Sequence, residues 1–143
     1  MVKKYSIESS LWSHIVDLGD ESPHEEICGA LLGDKNNRRV TKYVALTNVS
    51  PNKGHHYIPD QNQWLSMLKN TTFITKNAKW DFLGIFHTHP KSEPVASITD
   101  INEAGYEGLY WIYSPAMKGS RFYYYDGNDE ERQFEVANVV TVD

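Results

Sequence analysis

The stretch DFLGIFHTHPKSEPVASITD, residues 81–100, carries the most specific pattern in the sequence. It begins with an apolar run of the length of one strand, and its end is predicted to start a short helix, for which Ser97 is a candidate N-cap. His87 and His89 stand two residues apart at the end of the strand. Side chains in a strand point the same way every second residue. The two imidazoles can therefore reach one metal ion.

A downstream carboxylate is the third candidate ligand. A catalytic zinc site takes three protein ligands and keeps a fourth position for water. Asp100 returns on the first turn of the short helix, and Ser97 lies one helical turn before it. A His-x-His pair alone is common without a metal, so the longer pattern carries the prediction. That pattern is His-x-His, seven residues, then Ser-x-x-Asp, directly after an apolar strand.

Hydrophobic periodicity predicts two longer helices. Residues 7–18 carry apolar side chains at spacings of three and four, which is typical of an amphipathic helix. A second helix is predicted after Asp60, a candidate N-cap, with Trp64, Leu65 and Leu68 facing the core. Both helices need an apolar surface to pack against, and the remaining segments supply it.

The other apolar segments are predicted to be strands, at residues 27–32, 40–49, 81–87, 109–114, 121–126 and 132–140. A hairpin loop at residues 34–37 joins the first two. The short helix is predicted to begin at Ser97 or Thr99 and to run through Ala104. The fold class is thus α/β (α+β mixed). A single domain, residues 1–143, contains a central, largely antiparallel mixed sheet flanked by two longer helices and a short one.

Composition narrows the class of protein. The 143 residues are 40% hydrophobic, which suffices for one core. The net charge of −5, with scattered Lys and Arg, disfavours a nucleic-acid surface. Cys28 is the only cysteine, which excludes an internal disulfide and is typical of a reducing compartment. No apolar run is long enough for a secretory signal or a membrane span. We therefore expect a cytoplasmic protein that binds neither nucleic acid nor membrane.

Glu26 adds a further group to the constellation. It begins the stretch EICG, residues 26–29, which stands before an apolar strand. Together with the His-x-His and Ser-x-x-Asp pattern, this Glu-x-x-Gly stretch resembles the JAMM motif of the JAB/MPN metalloprotease family. The order of elements over residues 5–137 is also similar to that family. One departure is Ala96, which precedes Ser97 where the family usually has proline.

The resemblance implies a role for each residue. His87, His89 and Asp100 would hold one Zn²⁺ per chain with water as the fourth ligand, which makes hydroxide available at neutral pH. Glu26 would act first as general base and then as general acid. Ser97 would donate a hydrogen bond to the tetrahedral oxyanion, worth about 3 kcal/mol. The implied reaction is hydrolysis of an amide or isopeptide bond, without a covalent intermediate. The implied substrate is the C-terminal tail of a ubiquitin-like or sulfur-carrier protein.

Three other functions compete with this interpretation. A non-catalytic MPN module would serve as a protein-interaction scaffold, although such modules typically lack some of the ligands. The same zinc site would also suit a free dipeptide or a cell-wall peptide. Finally, His87, His89 and Glu93 match part of the cupin motif. The flanking glycines and a later histidine of that motif are missing, and the predicted helices do not suit an all-β barrel.

Several neighbouring residues are weaker candidates. HEEIC, residues 24–28, departs from the helical zinc motif His-Glu-x-x-His at its last position. Glu25 lacks the Glu-x-x-Gly spacing and is expected to be a solvated carboxylate. Cys28 lies in an apolar run and is expected to be a core residue rather than a nucleophile. His55 and His56 are expected to be exposed in a loop, with the edge of a pocket as the alternative.

Overall fold

The computed structural model describes residues 2–143. Its elements are β1 (Lys4–Glu8), α1 (Ser9–Asp20), β2 (Cys28–Asp34), β3 (Arg39–Leu46), α2 (Gln61–Lys69), β4 (Asp81–Thr88), α3 (Ile98–Asn102), β5 (Gly108–Ser114), β6 (Gly119–Tyr125), β7 (Glu135–Val136) and β8 (Asn138–Val142). The eight strands form one sheet in the order β7-β6-β5-β4-β2-β3-β1-β8. No helix in the described range is long and apolar enough to cross a membrane.

The sheet is mixed. Antiparallel pairs join β2 to β3 and β4, and β6 to β5 and β7. The pairs β1–β3, β1–β8 and β4–β5 are parallel. This confirms the predicted mixed α/β class, with two longer helices and a short one around a central mixed sheet, in which four of the seven strand pairs are antiparallel.

The two longer helices cover opposite faces of the sheet. Successive side chains of a strand alternate between faces. Along β2, Leu31 packs in a core with Ile15 of α1, whereas Leu32 packs in a second core with Met67 of α2. On β4, Phe86 belongs to the α1 core, so the alternation turns its neighbour His87 toward the α2 face.

The predicted start of the first helix is wrong. Residues 7–18 were expected to be helical, but Ile7 lies in β1 and α1 begins at Ser9. Tyr5 and Ile7 are buried and alternate with the more exposed Ser6, which is the period of a strand. Ile7 also fits the helical spacing, so the sequence pattern does not show where β1 ends and α1 begins.

The prediction that Leu65 of the second helix faces the core is also wrong. Leu65 is 47% exposed, whereas Met67 and Leu68 are buried. Asp60 does cap this helix, since its side chain accepts a hydrogen bond from the backbone N–H of Gln63 at 2.9 Å. The buried stripe follows the spacing of three and four from Trp64, and Leu65 lies outside that stripe.

The segment predicted as one strand over residues 132–140 contains β7 and the first part of β8, and residues 132–134 lie outside both. Ala137 donates its backbone N–H to the carbonyl of Phe122 in β6, whereas Asn138 donates to the carbonyl of Lys3, the residue before β1. The pairing partner therefore changes at Ala137. Because β7 and β8 form the two edges of the sheet, this single residue links them and the sheet curls on itself.

Candidate metal centre

The end of β4 places the two histidines beside the segment that carries Glu26. Thr88 lies between them and is fully buried. Its hydroxyl accepts a hydrogen bond from the N–H of Ile27 at 3.0 Å, and its own N–H donates to the Ile27 carbonyl at 3.1 Å. His89 donates its backbone N–H to Tyr113 of β5 at 2.9 Å. Hydrogen bonds on both sides thus fix the strand end.

Three predicted ligands converge at this strand end. The Nε2 atoms of His87 and His89 lie 3.3 Å apart. One carboxylate oxygen of Asp100 is 3.3 Å from His87 Nε2, and the other is 3.1 Å from His89 Nε2. All three ligand atoms lie within 4.8 Å of one another, which is the separation expected for groups that share one metal ion.

The first turn of α3 orients Asp100. Ser97 is the N-cap, and its Oγ accepts a hydrogen bond from the Asp100 N–H at 3.0 Å. In return, the Ser97 N–H donates to the Asp100 carboxylate at 2.9 Å. This reciprocal capping box holds the carboxylate against the helix start. The Ser97 hydroxyl serves here as an acceptor, so its hydrogen is left to donate elsewhere.

The two imidazoles are oriented by different contacts. The Nδ1–H of His89 donates to the Glu93 carbonyl at 2.8 Å, so Nε2 is the ring nitrogen that faces the ligand position. The His87 ring is fully buried and stacks on Tyr57, with ring centroids 4.5 Å apart. Its Nδ1 has no hydrogen-bond partner among the described residues. Packing, rather than a hydrogen bond, therefore holds His87.

The electrostatics fit a bound cation. Burial alone would raise the pKa of Asp100, but hydrogen bonds from His87 and His89 outweigh it and hold that pKa well below its usual range. Burial lowers the pKa of His87, against the pull of Asp100. Burial would also lower the pKa of His89, but hydrogen bonds with Asp100 and with the Glu93 carbonyl raise it. Two imidazole nitrogens and a carboxylate, buried and facing one another, are a donor set that suits zinc.

Glu26 is a buried carboxyl in the same region. Its side chain is 6% exposed. Its backbone N–H donates to the Lys53 carbonyl at 2.7 Å. Its pKa is raised to about 7, chiefly by burial and also by the charge of Asp100, while His89 and His56 act in the opposite direction. A carboxyl with a pKa near neutrality is matched to proton transfer at physiological pH.

These groups open onto one cleft of about 350 Å³, here called the metal cleft. The cleft is lined by Glu26, His89, Ser97 and Asp100. His87 does not line it but is buried in contact with His89. The structure thus brings together the five residues selected from the sequence. Their roles in binding and catalysis stay predictions.

Asn48 is a residue of the site that the sequence did not single out. Its side-chain amide donates to the carbonyls of Glu26 at 2.9 Å and His56 at 3.0 Å. Its oxygen accepts from the N–H groups of Ser50 and Ile58, both at 3.0 Å. An asparagine side chain can form four such bonds, and all four are used. Asn48 therefore anchors the backbone of Glu26 to the loop that carries Tyr57.

His55 and His56 lie at the edge of a pocket, which was the alternative interpretation of these two residues. His55 is exposed and His56 half-buried, and both line the metal cleft. The Nε2–H of His56 donates to the Glu103 carboxylate at the end of α3, at 2.7 Å. Cys28 is 1% exposed, which confirms it as a core residue, and Glu25 is exposed as expected.

The fold and the centre together define a JAB/MPN-type domain, since a mixed sheet presents the two histidines and a short helix presents the aspartate. A model of the prokaryotic homologs of the JAB domain matches residues 8–126, and the chain belongs to this family. The resemblance found in the sequence is thereby confirmed. The chain is 33% identical over 129 residues to a desampylase of Haloferax volcanii, covering 90% of this chain and 88% of that protein.

Two solved structures show the same fold. A protein from Desulfitobacterium hafniense has a TM-score of 0.73 and 22% identity, covering 96% of this chain and 94% of that one. A JAB1/MPN domain protein from Archaeoglobus fulgidus has a TM-score of 0.60 and 14% identity, covering 96% and 98%. At these identities the likeness concerns the fold alone.

Proposed function

We propose that this protein is a zinc-dependent metallopeptidase of the JAMM type. It would hydrolyse an amide or isopeptide bond at the C-terminal tail of a ubiquitin-like or sulfur-carrier protein. The observation that carries the proposal is the convergence of His87, His89 and Asp100 on one point of a cleft that also holds a buried Glu26. The name of the relative, desampylase, supports a hydrolase that acts on a ubiquitin-like modifier.

His87, His89 and Asp100 would hold the zinc ion. A zinc ion bound by these three residues would supply a Lewis acid, which lowers the pKa of water and polarises an amide carbonyl. The chain contributes the orientation of the ligands. The hydrogen bond from His89 to the Glu93 carbonyl and the capping box around Asp100 fix two of them without the metal.

Glu26 would move the proton. It would accept a proton from the attacking water and then deliver it to the leaving amine. Burial disfavours its ionised form, which makes the protonated state accessible for the second step. Ser97 would donate its hydroxyl hydrogen to the developing oxyanion, because its oxygen already accepts from the Asp100 N–H.

We also propose that the protein is cytoplasmic, because a single cysteine is typical of a reducing compartment. The net charge of −5 suits a protein tail as partner better than nucleic acid. Burial raises the pKa of the Cys28 thiol to about 12, so this single cysteine stays protonated and unreactive. Fractionation of cells that express the native chain tests the location, and recovery with membranes would contradict it.

Cleavage of a ubiquitin-like protein extended at its C-terminal tail tests the activity. We expect the zinc-loaded protein to cut at the end of the tail, and Glu26→Gln to bind zinc but lose turnover. Glu25→Gln is the matched control, because Glu25 is exposed and adjacent in sequence. Full activity of Glu26→Gln would refute the role of Glu26. Binding of the tail by the wild type without any cleavage would favour a non-catalytic scaffold.

A further inference from the structure

A second cavity lies at the opposite end of β4 from the metal centre. Its volume is about 240 Å³. Phe82 lines it near the start of β4, and His87 stands five residues further along the same strand. At the rise of a strand, five residues span about 17 Å. A small ligand in the second cavity therefore cannot touch the metal centre.

Aromatic rings form much of the wall of this cavity. They belong to Tyr5, Phe73, Phe82, Tyr106 and Tyr124. The ring of Tyr106 packs edge-on against Phe73 and Phe82, with centroid separations of 5.5 and 5.6 Å. Phe73 nevertheless remains 60% exposed. A planar ring that entered the cavity would cover this exposed apolar surface and find aromatic partners already in place.

Three cations surround the same cavity. They are Lys3, Lys35 and Arg38, and none of them forms a salt bridge within residues 2–143. Glu107 is the one carboxylate among the lining residues, and it accepts a hydrogen bond from the Tyr124 hydroxyl at 2.6 Å. Three cations against one carboxylate leave an excess of two positive charges, in a chain whose net charge is −5. The cavity is therefore complementary to an anion.

The backbone that carries Arg38 is fixed on both sides. Arg38 closes the turn between β2 and β3, where its N–H donates to the Lys35 carbonyl at 3.3 Å. Its carbonyl accepts from the N–H of Ser6 in β1 at 3.0 Å. Its φ of 49° is a left-handed conformation that side chains larger than glycine seldom adopt. The guanidinium is thus presented from a defined turn rather than from a mobile terminus.

We propose that the second cavity binds a small ligand that joins one aromatic ring to a phosphate, as in a nucleoside monophosphate. The ring would contact Phe73 and Tyr106, and the phosphate would contact Arg38 with help from Lys3. Arginine is suited to this role because its planar fork donates two parallel hydrogen bonds to a phosphate. The site is separate from the metal cleft, so the proposal does not depend on the proposed hydrolase activity.

An NMR titration of the intact chain tests this site with adenosine monophosphate, adenosine and inorganic phosphate as separate probes. We expect the monophosphate to shift the amide signals of Arg38, Phe73 and Gly108, all of which line the cavity, with a dissociation constant below about 1 mM. Adenosine or phosphate alone should bind more weakly, because each lacks half of the contacts. Arg38→Gln should weaken monophosphate binding about tenfold or more.

Lys118→Gln is the matched control. Lys118 occupies the corresponding left-handed position, φ 53°, in the turn between β5 and β6, but it does not line this cavity. Its removal should leave the monophosphate affinity unchanged. The proposal is refuted if the monophosphate causes no shifts at about 5 mM or if Arg38→Gln binds as well as the wild type. Shifts confined to the residues around His89 would also refute it, because the phosphate would then be held in the metal cleft.

Discussion

Replacement of Glu26 by glutamine should change how the stability of the metal-free protein depends on pH. The carboxyl is 6% exposed, and burial raises its pKa from 4.5 to about 7. The folded state therefore retains a proton that the unfolded state releases. The contribution of Glu26 to stability is fully present below pH 4.5 and is lost as the pH rises toward 7. Glutamine carries no such proton and should not show this loss.

The size of the effect follows from the two pKa values. Linkage between protonation and folding gives a loss of about 0.8 kcal/mol at pH 5 and about 3.3 kcal/mol at pH 8 for the wild type. The free energy of unfolding of Glu26→Gln, relative to the wild type, should therefore rise by about 2.5 kcal/mol between these two pH values. That is a large fraction of the stability of a domain of this size.

Urea unfolding of the metal-free protein, followed by tryptophan fluorescence at several pH values, measures this difference. The control is Glu25→Gln, whose carboxyl is exposed and whose stability should follow the wild-type curve. A constant difference between Glu26→Gln and the wild type from pH 5 to pH 8 would refute the conclusion that the folded protein keeps this carboxyl protonated.

Three further substitutions test the structure around the centre. Asn48→Asp removes two donors and leaves the carbonyls of Glu26 and His56 facing a carboxylate, so urea unfolding should show a loss of about 2–4 kcal/mol; unchanged stability would contradict the anchoring role. Ser97→Ala should lower kcat per zinc-loaded chain about 100-fold, whereas a kcat equal to that of the wild type would exclude an oxyanion contact. Ile15→Ala should cost about 2–5 kcal/mol in the same unfolding measurement, because Ile15 is fully buried, and a loss below about 1 kcal/mol would mean that α1 packs loosely.

The parts of the site with a fixed local spacing were predictable from the sequence. His87 and His89 share one side of a strand end, and Asp100 follows its own N-cap by three residues. Such relations depend on the geometry of one element alone. Asn48 and Tyr57 gave no such signal, because their contacts with Glu26 and His87 form only when distant segments pack together.

The errors in the predicted strands and helices also arise from contacts between distant segments. Ile7 satisfies both a helical and a strand period, and its parallel pairings with Val40 of β3 and Thr141 of β8 assign it to β1. Residues 132–140 are predicted as one strand because no glycine or proline interrupts their apolar positions. The change of partner there, from β6 to β1, is a property of the curled sheet. Local patterns give the type of an element, whereas tertiary pairing decides its ends.

Elemental analysis of the purified protein tests whether His87 and His89 hold a zinc ion. The wild type should contain about one zinc per chain, and the double substitution His87→Ala/His89→Ala should contain none. His55→Ala is the matched control, because His55 lines the same cleft but is exposed and outside the ligand set, and it should keep its zinc. A wild type that binds no zinc even after zinc is added back, or a double variant that retains it, would contradict the account.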